Sequence, residues 1–297
     1  MTLQVRPFRP TLRSMRAAFL IGCVLVSLAG IQLYLLTGHT DRFFAWTIGV
    51  PLTAAFLGAF YFTSLALAFG SASRRLWANA RVGVPGVELF LVMTLVTTLL
   101  HLSKFHLHQG ALVARGAAYL WLFIYAAAPT GLAVVMVLQY RVRGADPPQT
   151  DPLPSWLRVG VGVHSAAALG FGVALFAAPT ATAKIWPWAL TPLTARAMAS
   201  WLLGLGVVLA CAFAENDRRR VRVAFPAYTV LGTLQLVAVA RYAGDLDGGA
   251  VRIGLYLAVL ATMVGIGAYG WVTTPPGEVG PRQGAAADPA ADPTAVH

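Results

Sequence analysis

Long runs of apolar residues, each close to the length that crosses a bilayer as one helix, alternate along this chain with short segments that hold most of its charge. A spanning helix needs about 20 predominantly apolar residues to cross the ~30 Å hydrocarbon core. Such runs fall near residues 17–37, 44–70, 84–102, 115–139, 159–178, 197–214, 223–240 and 253–272. Hydrocarbon offers no water to a backbone amide or carbonyl, so each run must be helical, and the alternating pattern of a membrane barrel is absent. The expected fold class is therefore an all-α integral membrane protein with eight transmembrane helices. Composition agrees: 58% hydrophobic residues, 11% charged ones and a mean hydropathy of +0.68 leave too little polar surface to coat soluble domains.

The basic residues report orientation. The formal charge of +11 sits in short clusters between apolar runs, with no basic domain that would bind nucleic acid. With the N-terminus inside, 15 of the 22 Lys and Arg residues face the cytoplasm, in clusters around Arg13, Arg75, Arg141, Arg219 and Arg282. The other seven, Arg42, Lys104, Arg115, Lys184, Arg196, Arg241 and Arg252, lie outside. That bias places the protein in the plasma (inner) membrane as a multi-pass chain with both termini cytoplasmic. The first run is too long for a secretory leader and lacks an A-x-A site, so it reads as an uncleaved span. From Thr273 the chain is rich in Pro, Gly, Ala and Asp and reads as a disordered cytoplasmic tail. Cys23 and Cys211 each lie in an apolar run, so a disulfide framework is not expected.

The chain also matches itself. At an offset of 142, Arg16 meets Arg158, Gly30 meets Gly172, Arg42 meets Lys184 and Trp46 meets Trp188. At 141, Pro51-Leu52-Thr53-Ala54 meets Pro192-Leu193-Thr194-Ala195, Arg81-Val82 meets Arg222-Val223 and Pro85 meets Pro226; at 137, Arg115 and Tyr119 meet Arg252 and Tyr256. The expected organisation is a cytoplasmic N-terminal segment 1–16, a four-helix repeat 17–140, a cytoplasmic linker 141–157, a second four-helix repeat 158–272 and the tail 273–297. Each half holds an even number of spans, so the two repeats are parallel and a cavity between them is expected near an axis along the membrane normal.

The polar residues gather at the outer helix ends. His39, Asp41 and Arg42 follow the first span, and His101, Lys104, His106 and His108 follow the third. Neutral imidazoles at His101, His106 and His108, completed by His39 or Asp41, have the donor chemistry for Zn, Cu or Ni, although the spacing matches no standard zinc motif. A polar outer loop is the plainer reading. Haem held by His39 and His101 is a further alternative, with His164 too far toward the inner side to share it. No cofactor is expected from the motifs: a Gly-rich phosphate loop, a GxSxG elbow, an HExxH helix and a CxxC pair are all missing.

Glu88 is the one carboxylate well inside a span, which makes it a candidate for proton coupling; the plainer reading is a first-turn glutamate supported by Arg74, Arg75 or Arg81. Arg196 opens the sixth span where the first half has Ala55, and its guanidinium suits a carboxylate or phosphate, or else snorkels to headgroups. Arg115 and Arg252 repeat in both halves and read as anchors that can also contact substrate. Trp46, Trp186 and Trp188 read as an interfacial aromatic belt. Glu215-Asn216-Asp217 followed by three arginines reads as a solvated turn, and the small residues Ser165 to Gly172 as a close-packing face.

Three classes of function are compatible with this pattern. The first is a carrier of a small solute or lipid through an inter-repeat cavity, with substrate-binding residues among Glu88, Arg196, Arg115, Arg252 and Asp41. The second is a membrane enzyme acting at the outer face on a lipid or isoprenoid. The third is a non-catalytic scaffold for a partner membrane protein, or an oligomer. The bilayer itself is the partner all three share.

Overall fold

A computed structural model describes residues 7–247 and 249–277. Arg6, Arg282 and residues 278–297 of the expected tail lie outside the described residues. Eight long helices follow in chain order: α1, Arg13–Gly30, continued by a π-helical turn Ile31–Leu35; α2, Pro51–Ala72; α3, Val84–Leu100; α4, Leu112–Tyr140; α5, Ser155–Ala177; α6, Pro192–Glu215; α7, Ala224–Arg241; and α8, Gly249–Thr273. Among the described residues, seven segments are long and apolar enough to cross a membrane: Arg13–Leu35, Pro51–Ala72, Trp77–Leu100, Leu112–Tyr140, Ser155–Ala177, Pro192–Glu215 and Gly249–Thr273. The remaining helix, α7, is 18 residues long, carries Pro226, Gln235 and Arg241, and does not belong to that set.

Most boundaries lie within a turn of the apolar runs. The exception is the second run, whose first residues, Phe44 to Val50, are not helical; the helix begins at Pro51, whose missing amide costs nothing in a first turn. α4 passes through Pro129 without interruption.

α2 and α6 form the centre: 61% of the most apolar window of each is buried, against 17–22% for α1, α4, α5 and α8. α1 packs on α2 and α5 on α6; α3 packs on α6, and α7 on α2; α4 lies along α3 and α8 along α7. The α3–α6 contact brings backbones together. A Cβ on Gly204 would stand 2.9 Å from the Gly86 carbonyl oxygen, so neither position has room for a side chain. Hydrogen bonds cross the other interfaces: Gln235 donates to the Phe56 carbonyl at 3.2 Å and accepts from the Tyr256 hydroxyl at 3.2 Å, and the Tyr34 hydroxyl donates to the Leu234 carbonyl at 2.8 Å.

The tryptophans correct the sequence reading. Trp46, Trp186 and Trp188 are not an interfacial belt; Trp46 and Trp188 are 2% and 1% exposed, and Trp186 is buried with them. The stretches that carry them fold back over the ends of the helices. Trp46 packs against Phe44, Phe105 and Trp121, and Trp188 against Phe56, Trp186 and Tyr256 while its indole N–H donates to Thr53 Oγ1 at 2.9 Å. Two aromatic plugs thus close one end of the bundle.

Candidate functional site

The arginine-rich end of the bundle is tied by ion pairs. Glu215-Asn216-Asp217 is not a solvated turn: Asp217 is fully buried. Its Oδ1 accepts from the backbone N–H groups of Arg219 and Arg220 at 3.0 and 3.1 Å, and its Oδ2 from those of Thr150 and Asp151 at 2.9 and 3.1 Å. One carboxylate thereby caps the short helix Arg218–Val221 and holds the segment joining the two halves. Arg81 bridges Asp146 and Glu215, each at 2.5 Å; Arg220 bonds Glu215 at 2.9 Å and the Pro147 carbonyl; Arg218 grips Asp151 at 2.6 Å. These are charge-assisted bonds with little solvent access, where both Coulomb attraction and the cost of losing one partner are large. The N-terminal residues join the same end, since Gln139, fully buried, donates to the Pro10 carbonyl at 2.9 Å and accepts from the Leu12 N–H at 2.8 Å.

At the opposite end, Arg196 has two partners. Its Nε donates to the Phe176 carbonyl at 3.1 Å, near the end of α5, and its Nη1 to His101 Nε2 at 2.9 Å. A guanidinium can only donate, so His101 accepts and is the neutral imidazole. Burial, then the cations of Arg196 and Lys104, hold the His101 pKa below its ordinary value. Arg241 makes a related pair of contacts, donating to the Tyr34 carbonyl at 3.2 Å and to the Tyr242 hydroxyl at 3.0 Å. Asp245 accepts from the Leu52 N–H at 2.9 Å and so caps α2 from a distant part of the chain.

The four histidines proposed as metal ligands are dispersed. His39 and His108 are exposed, and His39 lies against Phe43. Both ring nitrogens of His106 have partners, the Phe44 carbonyl and Thr47 Oγ1, each at 3.0 Å. Among the described residues no three His, Cys, Asp or Glu side chains are grouped to hold a metal ion. Asp41 and Arg42 face each other at 3.9 Å on the surface, Arg115 is exposed, and Arg252 donates to the Lys184 carbonyl at 2.5 Å. Glu88 does not meet Arg81, which is engaged by Asp146 and Glu215; Glu88 Oε2 is buried and has no hydrogen-bond partner. It shares a helical stripe with the exposed Val92, Val96 and Leu99, so it stands on the outer flank of α3.

Between α2, α3, α6 and α7 lies an apolar cavity with about 70 Å³ of room for the centre of a water molecule. Phe60, Phe90 and Trp201 close its deep end: Trp201 stacks on both phenyl rings, with centroids 5.3 and 3.6 Å away. Leu153, from the segment pinned by Asp217, and Val221 line its other end. Searches of family models, curated proteins and solved structures find no match to this chain.

None of the residues singled out from the sequence lines this cavity. The polar side chains on its wall are Thr63, Ser64 and Tyr228, together with the indole of Trp201. Tyr228 is bonded to His164 Nδ1, and His164 Nε2 meets Thr262 Oγ1 at 3.1 Å, a chain that links α7, α5 and α8. Tyr228 carries no sequence signal of its own, because a lone tyrosine in an apolar run is most simply a core residue.

Proposed function

We propose that the protein is an eight-span inner-membrane carrier, built of two parallel repeats, that binds a lipid or similarly apolar small molecule in the cavity between them. The cavity carries this reading: its wall is almost wholly apolar, and helices from both halves supply it. A charged solute would have no counter-charge there. Arg196, Glu88, Arg115, Arg252 and Asp41 all stand outside the wall, which favours roles at its approaches.

Several correspondences support the duplication. Gly30 faces Phe62 and its equivalent Gly172 faces Leu203, the residue 141 positions after Phe62; in both cases an added Cβ would stand 2.9 Å from the facing side chain. The His106 N–H donates to the Ala45 carbonyl at 2.9 Å, and its equivalent, the Asp247 N–H, donates to the Pro187 carbonyl at 3.0 Å. Tyr34 and Phe176, whose carbonyls are capped by arginines, are equivalent as well. In this reading the third helix of each half packs on the second helix of the other, and α7 spans the membrane because α2 and α8 shield its polar groups.

The test is lipid mass spectrometry on protein purified in mild detergent. Wild type is expected to retain a stoichiometric apolar molecule, and Ser64→Phe, which fills the cavity, to lose it. Retention by both equally, or a charged metal or haem in its place, overturns the reading. The orientation is tested in a Cys23→Ala/Cys211→Ala background: a cysteine at His108 should be labelled from outside intact cells, whereas one at Gln149 should be labelled only after lysis.

A further inference from the structure

The hydroxyl–imidazole chain that starts at Tyr228 on the cavity wall has a defined donor and acceptor sense. Thr262 Oγ1 lies 2.8 Å from the Val259 carbonyl and 3.0 Å from the Ala258 carbonyl, so its proton is committed to its own helix backbone. The oxygen therefore accepts from His164, which places the imidazole proton on Nε2 and leaves Nδ1 bare. A bare Nδ1 can only accept, and the Tyr228 hydroxyl donates to it. Tyr228, a residue of the cavity wall, therefore has lone pairs and no proton to offer. Thr63 is in the same state, since its hydroxyl donates to the Ala59 carbonyl at 2.8 Å. Ser64, the third hydroxyl on the wall, can take either role.

From this we infer that the cavity selects a hydrogen-bond donor: an apolar molecule ending in a single hydroxyl, a long-chain or isoprenoid alcohol, with Tyr228 as the residue that receives its proton. His164 and Thr262 are positioning residues that keep the Tyr228 proton turned away. The inference rests on the cavity being a binding site, as proposed above. An ether, an ester or a quinone offers only acceptors, and would leave the Tyr228 lone pairs unpaired in an apolar wall, which costs about as much as a lost hydrogen bond. The asymmetry of the two halves fits this assignment: the first-half equivalents of His164 and Tyr228 are Gly22 and Val87, so the polar chain is built on one side only.

The test uses the full-length protein in nanodiscs and two photoreactive probes, a diazirine-bearing hexadecanol and its methyl ether, with the cross-linked peptides mapped. The alcohol is expected to label peptides of α6 and α7 about five-fold more than the ether, and unlabelled hexadecanol to compete. Tyr228→Phe, which keeps the ring and its packing, should bring the two probes to parity. Thr262→Val should do the same while leaving the phenol intact, because the freed imidazole can turn its proton toward Tyr228. Equal labelling of wild type by both probes, or a preference that survives Tyr228→Phe, overturns the donor assignment. Failure of both probes to label the cavity wall instead overturns the binding-site reading beneath it.

Discussion

Asp217→Ala removes the carboxylate that receives four backbone N–H bonds, at 2.9–3.1 Å, in a position without solvent exposure. Hydrogen bonds to a charged group contribute about 1.5–3 kcal/mol each, and orphaned buried donors cost about 1–3 kcal/mol each. Water can enter once the joining segment loosens, so the four losses will not add in full. The expected destabilisation is about 3–5 kcal/mol, well short of four full losses. Asp217→Asn keeps one acceptor oxygen and should cost about half as much. Equilibrium unfolding in mixed micelles titrated with dodecyl sulfate measures both. Because Leu153 is held against the cavity by the same segment, Asp217→Ala should also speed tryptic cleavage after Arg143 in inverted vesicles. A loss below about 1 kcal/mol with unchanged cleavage would refute the view that this carboxylate locks the two halves together.

Three further outcomes are expected. Gly204→Leu should prevent close approach of α3 and α6, with loss of folded yield on size-exclusion chromatography, whereas Gly116→Leu, where a Cβ meets nothing within 4 Å, should be tolerated. Asp245→Ala should cost about 1 kcal/mol by uncapping α2, seen in the same micelle titration. His101 has a folded-state pKa below its ordinary 6.5, so the unfolded chain takes up its proton first as pH falls. The contribution of His101 is therefore present above about pH 6.5 and lost below it, and His101→Gln should flatten the fall in thermal midpoint between pH 7 and pH 5.

The helices were legible because the bilayer imposes a length and an apolar content that local sequence must meet by itself. α7 shows the limit of that rule. Its Gln235 and Arg241 lower its apolar content, and only tertiary structure reveals that Gln235 is satisfied by Phe56 and Tyr256. Gly30 and Gly172, aligned in the sequence at an offset of 142, both stand at close helix contacts. The tryptophans were misread because an aromatic near a span end looks alike whether it faces headgroups or folds inward over the bundle. Asp217 was misread for a related reason: its acceptor role depends on Thr150 and Asp151, 66–67 residues away, which no local pattern connects. The polar chain beside the cavity was not legible, because His164, Tyr228 and Thr262 come from three helices and have no shared spacing.

The central claim is that the two halves exchange helices around one cavity, and the Thr97–Ser200 contact tests it most directly. Their hydroxyls lie 3.3 Å apart across the α3–α6 interface, one from each half. In a Cys23→Ala/Cys211→Ala background, Thr97→Cys and Ser200→Cys should form a disulfide in native membranes under mild oxidation. With a protease site placed at Gln149 and cleaved, the two fragments should stay joined on a non-reducing gel and separate on reduction. Fragments that separate without reductant, in protein that still inserts in the membrane, would contradict the exchanged arrangement and the cavity it encloses.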